Sequence, residues 1–180
     1  MNKRLHSFLK VFLLMVLLHT GLEMSGQKLY WTKNNPSEIE SINFDGTAMT
    51  FHYTAGGPAT FRGLEIDVAN QKMYWYDEHQ AAFMKANLDG TNAVILIANV
   101  DFATGMSIDF INQKLYWSTY TTIDNINYIG IIEKANLDGS GRTVVLSSDG
   151  YSNFHNIKVD STHQKLYWFD QYNFKISRSN

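Results

Sequence analysis

From residue 27 onward the chain is written in short apolar and aromatic runs separated by polar turns. One stretch shows the pattern in full. GLEIDV from Gly63 is followed by KMYWYD, FMKANL and AVILIA, with VANQ after the first run and DGTN after the third. Runs of this length, rich in β-branched and aromatic residues and bounded by turn formers, read as strands. Asp-Gly between two apolar runs is a hairpin signal, because glycine supplies the positive φ such a turn needs. The spacing predicts four antiparallel strands, A to D, over 63–68, 72–77, 83–88 and 93–98.

The pattern repeats. QKLYW from Gln27 returns as QKMYW from Gln71 and as QKLYW from Gln113 and Gln164. The pairs Tyr30-Trp31, Tyr74-Trp75, Tyr116-Trp117 and Tyr167-Trp168 are therefore 44, 42 and 51 residues apart. FDG at Phe44 and LDG at Leu88 and Leu137 follow in fixed order, and GLEID, GMSID and NIKVD precede the three later pairs. The longer third period has a local cause: about seven extra residues around 121–129. Neighbouring residues on a strand point to opposite faces, so two adjacent large aromatics require both faces of the sheet to be covered. Four-stranded units of about 40–45 residues, stacked face to face, are the blades of a β-propeller.

The motif G-x-x-x-D, then K-[LM]-Y-W-x-D, then K-A-N-L-D-G resembles the YWTD repeat, the class B repeat of low-density lipoprotein receptors. Gly63, Asp67, Lys72, Tyr74, Trp75, Asp77 and Lys85 to Gly90 carry it, and Lys134 to Gly139 repeat its last part. Asp77 and Asp170 fill the fourth letter, whereas Lys33 and Thr119 replace it in the other two copies. The resemblance implies an all-β, six-bladed ring that binds proteins or packs on neighbouring modules, and a structural hydrogen-bonding role for Asp77 and Asp170. The repeats here supply about three and a half blades: B to D in the first unit, two full units, and A, B and part of C in the last. The expectation is an incomplete arc, part of a longer propeller, with open blade edges prone to self-association.

Composition removes several function classes. The formal net charge is -2, with no basic run to meet nucleic acid. Cysteine is absent, so there is neither a disulfide framework nor a thiolate nucleophile. Lys3, Arg4 and Lys10 flank the apolar run 11–18, the pattern of a signal peptide expected over residues 1–26 and removed somewhere in 20–27. The propeller domain is then 27–180, secreted or otherwise extracytoplasmic.

Candidate chemistry is sparse. Asp67, Asp109 and Asp160 recur at the end of strand A, where a carboxylate either binds a cation or braces the following turn; the recurrence with VANQ, FINQ and STHQ favours the brace. The six histidines show no metal-ligand spacing, and no nucleophile–base motif occurs. No cofactor is expected. The B–C loops, which share one face of the disc with the D–A loops, offer Glu78, His79, Tyr120, Gln171 and Tyr172 as partner-binding residues, with Asn34 and Asn35 beside them. The expected function is a non-catalytic protein-binding or scaffold module. The competing class is a six-bladed propeller hydrolase with a Ca²⁺-dependent channel site.

Overall fold

The computed structural model describes residues 23–25, 28–122 and 127–179. The leader expected over 1–26 falls almost wholly outside these residues; its last described part, Glu23–Ser25, is a strand. The first sheet contains β1 (Glu23–Ser25), β2 (Lys28–Asn34), β3 (Ser37–Asn43) and β4 (Thr50–Thr54). The second contains β5 (Phe61–Asp67), β6 (Lys72–Asp77), β7 (Ala82–Asn87) and β8 (Val94–Ile97). The third contains β9 (Gly105–Asp109), β10 (Lys114–Thr122), β11 (Tyr128–Asn136) and β12 (Thr143–Ser147). The fourth contains β13 (Phe154–Asp160), β14 (Lys165–Asp170) and β15 (Lys175–Ser179). Every sheet is an antiparallel meander in sequence order. The first unit thus has an A strand, β1, paired Glu23↔Tyr30, where three strands are expected from sequence. The four small sheets form an open arc and not a closed ring, with the inner strands β1, β5, β9 and β13 in successive contact.

The aromatic pairs dictate this stacking. Tyr30 lies in one core cluster with Phe61, Leu64 and Trp75, between the first and second sheets. Tyr74 and Phe83 share the next cluster with Leu115 and Trp117. Tyr116 packs with Phe154, Ile157 and Trp168 between the third and fourth. The Tyr of each pair therefore faces the following sheet and the Trp faces the preceding one. Tyr74 and Trp75 are both buried because the second sheet is covered on both sides. At the ends of the arc the rule predicts a half-covered Trp31 and a half-covered Tyr167, and both are half-buried. Sequence reasoning places the terminal exposure on Trp31 and Trp168; the correction is that Trp168 turns inward and is buried.

The LDG hairpins add a second inter-sheet contact. Gly90 has φ +86° and Gly139 φ +88°, as their turns demand. Each also lies against the outer strand of the preceding sheet. A Cβ on Gly90 would sit 1.4 Å from the carbonyl oxygen of His52, and one on Gly139 would sit 2.3 Å from that of Leu96. The seven-residue expansion of the third unit appears as a long hairpin, β10 and β11 having nine residues each.

Gly90→Ala and Gly139→Ala should each lower unfolding stability by about 2–5 kcal/mol, combining positive-φ strain with overpacking. Gly57→Ala, with open space around its Cβ, should change stability by less than about 1 kcal/mol. Urea unfolding of the three variants checks this; equal stabilities would show that the hairpins do not press on the preceding sheet.

Candidate partner-binding face

One carboxylate geometry sets the A–B turns of the second, third and fourth sheets and the B–C turns of the second and fourth. At the A–B turns, Asp67 accepts from Asn70 N at 3.0 Å and Asn70 Nδ2 at 2.7 Å. Asp109 accepts from Ile111 N at 3.1 Å, Asn112 N at 3.0 Å and Asn112 Nδ2 at 2.7 Å. Asp160 accepts from His163 N at 3.0 Å, with His163 Nδ1 2.8 Å from its other oxygen. At the B–C turns, Asp77 accepts from His79 N at 3.0 Å, Gln80 N at 3.2 Å and Gln80 Nε2 at 2.7 Å. Asp170 accepts from Asn173 N at 3.2 Å, Asn173 Nδ2 at 2.8 Å and Ser152 Oγ at 3.0 Å. Each Asp grips the residue three places on. Asp45, Asp89 and Asp138 hold the C–D hairpins through the Thr or Ser two places on.

These carboxylates are committed to turns. Among the described residues no three His, Asp or Glu side chains converge in a way that could hold a metal ion. On the inner strands one slot is filled by Glu65, Ser107 and Lys158, and Lys158 Nζ lies 3.0 Å from Glu65 Oε1.

The B–C and D–A loops line one end of the strands. Tyr120, near the end of β10, has ring contacts with Phe102 at 6.1 Å and with Tyr128 at 5.0 Å. Tyr172 meets Tyr151 at 5.9 Å. The Ser152 amide donates to the Tyr128 carbonyl at 2.9 Å, which joins the two ring groups. Phe102, Tyr151 and Tyr172 remain 56%, 47% and 48% exposed, so the rings form a surface and not a core. The other sequence candidates differ. Glu78 is held by Arg62 Nε at 2.6 Å, His79 is exposed on the β6–β7 turn, and the Gln171 amide donates to Asn153 O. Asn34 Oδ1 accepts from Phe61 N at 2.8 Å and so ties the first sheet to the second, while Asn35 is exposed. Sequence reasoning missed Phe102, Tyr128 and Tyr151. The D–A loops were legible as neighbours of the B–C loops, and an aromatic in such a loop, after the last apolar run, was the available signal.

No family model matches this chain, and no curated protein matches it. Solved structures do. The chain is similar to a nidogen/laminin complex structure at 21% identity over 84% of this chain and 56% of that one, with a TM-score of 0.71. A putative TolB from Agrobacterium tumefaciens matches at 12% identity over 74% of this chain and 50% of that one, TM-score 0.55. An oligogalacturonate lyase in complex with manganese matches at 9% identity over 84% and 48%, TM-score 0.61. The fold is that of propeller blades. At these identities the likeness concerns architecture alone, and the chain spans about half the length of the solved chains it matches.

The clamps have a pH signature. Burial alone would raise Asp109 and Asp170, but the donors from Asn112 and Asn173, their backbone amides and a neighbouring serine hold both below the ordinary carboxylate value. Hydrogen bonds to Thr or Ser hold Asp45, Asp89 and Asp138 down as well. A depressed carboxylate contributes stability above its unfolded pKa, about 3.9, and loses it as pH falls through the folded value. Unfolding free energy should therefore fall steadily below about pH 4, after an earlier and smaller loss that begins as pH falls through about 6.5, because burial holds His52 and His155 below the ordinary imidazole value. Asp109→Asn should flatten part of that slope; urea melts from pH 2.5 to 7 that coincide for both proteins would exclude the clamp as its source.

Proposed function

We propose that this chain is part of a YWTD-type propeller that acts as a non-catalytic, extracytoplasmic protein-binding or scaffold module. The observation that carries the proposal is the exposed ring surface of Phe102, Tyr120, Tyr128, Tyr151 and Tyr172, set on hydrogen-bonded turns. Tyrosines presented on a rigid frame give large contact area at small entropic cost, and Tyr is enriched among residues that dominate interfaces. Glu78, His79 and Gln171 form the polar margin of that surface in this reading. In this reading a leader over residues 1–26 is removed by cleavage within 20–27. Among the described residues no helix is long and apolar enough to cross a membrane. The arrangement of the repeats as an arc supports a longer propeller, and the half-covered Trp31 and Tyr167 faces support self-association where nothing else covers them.

The hydrolase reading has less behind it. A catalytic channel metal needs carboxylates that break the repeat, and the channel carboxylate Glu65 faces Lys158.

The test uses the secreted chain immobilised and presented with purified extracellular proteins one at a time. A partner of the ring face should show saturable binding whose Kd rises at least about tenfold in Phe102→Ala and in Tyr172→Ala, with unchanged melting temperature, as loss of an interface anchor implies. Partners indifferent to both variants would defeat the assignment. In parallel, millimolar Ca²⁺ or EDTA should leave the melting temperature within about 1 °C. A specific site at 100 times Kd would stabilise by about 2.7 kcal/mol, or roughly 5–10 °C for a chain of this size, and a shift that large would restore the metal-dependent alternative.

A further inference from the structure

The end of the strands opposite the ring face carries a groove of about 600 Å³ between the second and third sheets. That size lies within the range of about 300–1,000 Å³ common to small-molecule sites. Lys72 and Lys85 reach it from the second sheet, beside the buried ring of Tyr74, and the A–B turns contribute Asn70, Asn112 and Gln113. Lys72 uses one N–H on Asn87 Oδ1. Lys85 uses one on the Leu137 carbonyl at 3.2 Å and sits 5.9 Å from the Tyr74 ring centre. An ammonium has three donors, so both lysines are positioned by the protein and retain donor capacity.

The amides are arranged the other way round. Asn70 gives its Nδ2 to Asp67 and Asn112 gives its Nδ2 to Asp109, each at 2.7 Å, and Gln113 gives its Nε2 to the Phe110 carbonyl at 2.7 Å. With the nitrogens tied back into their own turns, the amide oxygens are the groups left to accept from a ligand. Asp138 at the rim is held in its own hairpin by Ser140. The groove thus offers two cationic donor groups, a set of neutral acceptors and one aromatic wall.

The repeat itself is not sufficient to make this site. Between the first and second sheets the slot of Lys85 is Ser41, which is bonded to His52 at 2.7 Å. Between the third and fourth, the slot of Asn112 is His163, whose ring faces Asp160 at 2.8 Å. Among the described residues, the second ammonium and the pair of asparagine oxygens meet only in the groove between sheets two and three.

A ligand matching this donor set carries an anionic group for the lysines and several hydroxyls for the amide oxygens. We propose that the groove binds an anionic sugar unit, its carboxylate held between Lys72 and Lys85 and its hydroxyls donating to Asn70, Asn112 and Gln113. The site is on the opposite face from the ring surface and does not depend on it.

The experiment is a titration of the full chain with sodium D-glucuronate, followed by NMR or calorimetry, with D-glucose and sodium sulfate as the uncharged and the non-sugar comparisons. Saturable glucuronate binding is expected, at least tenfold tighter than either comparison and weakened by added salt. Lys72→Gln and Lys85→Gln should each raise Kd at least tenfold. Lys85→Arg, which keeps the charge, and Lys134→Gln, outside the groove, should hold Kd within threefold, so a folding defect and a lost contact are told apart. Absence of saturable glucuronate binding, equal response to glucose, sulfate binding as tightly, or indifference to both Lys→Gln changes would each overturn the proposal.

Discussion

Two large aromatics placed side by side on one strand cannot share a face, and the architecture follows from that constraint. Trp75 turns toward the first sheet and Tyr74 toward the third, so the second sheet is stable only between two others. Covering a ring of 150–250 Å² gains about 4–6 kcal/mol at 25 cal/mol per Å². This outweighs a real cost. The Trp117 Nε1 donates to Glu133 at 3.1 Å, but the indole N–H groups of Trp75 and Trp168 are buried without a partner, a penalty of about 1–3 kcal/mol each. Packing wins over hydrogen-bond satisfaction by about 1–5 kcal/mol per ring.

The glycines fix how closely the sheets approach. Sequence reasoning treats Gly90 and Gly139 as turn residues, which their φ values support. Their second role comes from the neighbouring sheet. The hairpin of one unit is seated on the outer-strand carbonyl of the unit before it, where no Cβ fits. Gly105 serves the inner side in the same way, lying against the backbone amides of Asn156 and Ile157. The second and third units are therefore keyed to their predecessors through their C–D hairpins and the fourth to the third at its inner strand, and the aromatic clusters fill the space between.

Most of this was legible in the sequence because repetition multiplies weak signals. A single QKLYW or LDG predicts little; four and three copies in fixed order predict the strand order, the turns and the coverage of both faces. Less was legible where the repeat is interrupted. The strand Glu23–Ser25 is three residues long and sits where a leader pattern ends, so no periodicity marks it. The half-buried Tyr167 and buried Trp168 required knowing which neighbour each face meets, and strand alternation alone does not supply that direction. Phe102, Tyr128 and Tyr151 lie in loops whose spatial neighbours come from other units, and a linear pattern does not record them.

The ring face originates in one such interruption. In the second and fourth sheets an Asp follows the aromatic pair and grips the residue three places on, which turns the chain at once. In the third sheet that position is Thr119, whose hydroxyl donates instead to the Asp101 carbonyl at 2.8 Å. Here, with the third unit's extra residues, β10 runs on to Thr122 and pairs with β11 as far as Thr122↔Tyr128. The added length raises Tyr120 and Tyr128 to the level of Phe102 and Tyr151 on the flanking D–A loops. Asp101 is thereby anchored as well, and Phe102 is fixed next to it. A structural residue was exchanged for one that holds a different loop, and the extended hairpin that results is where the fold departs most from its own repeat.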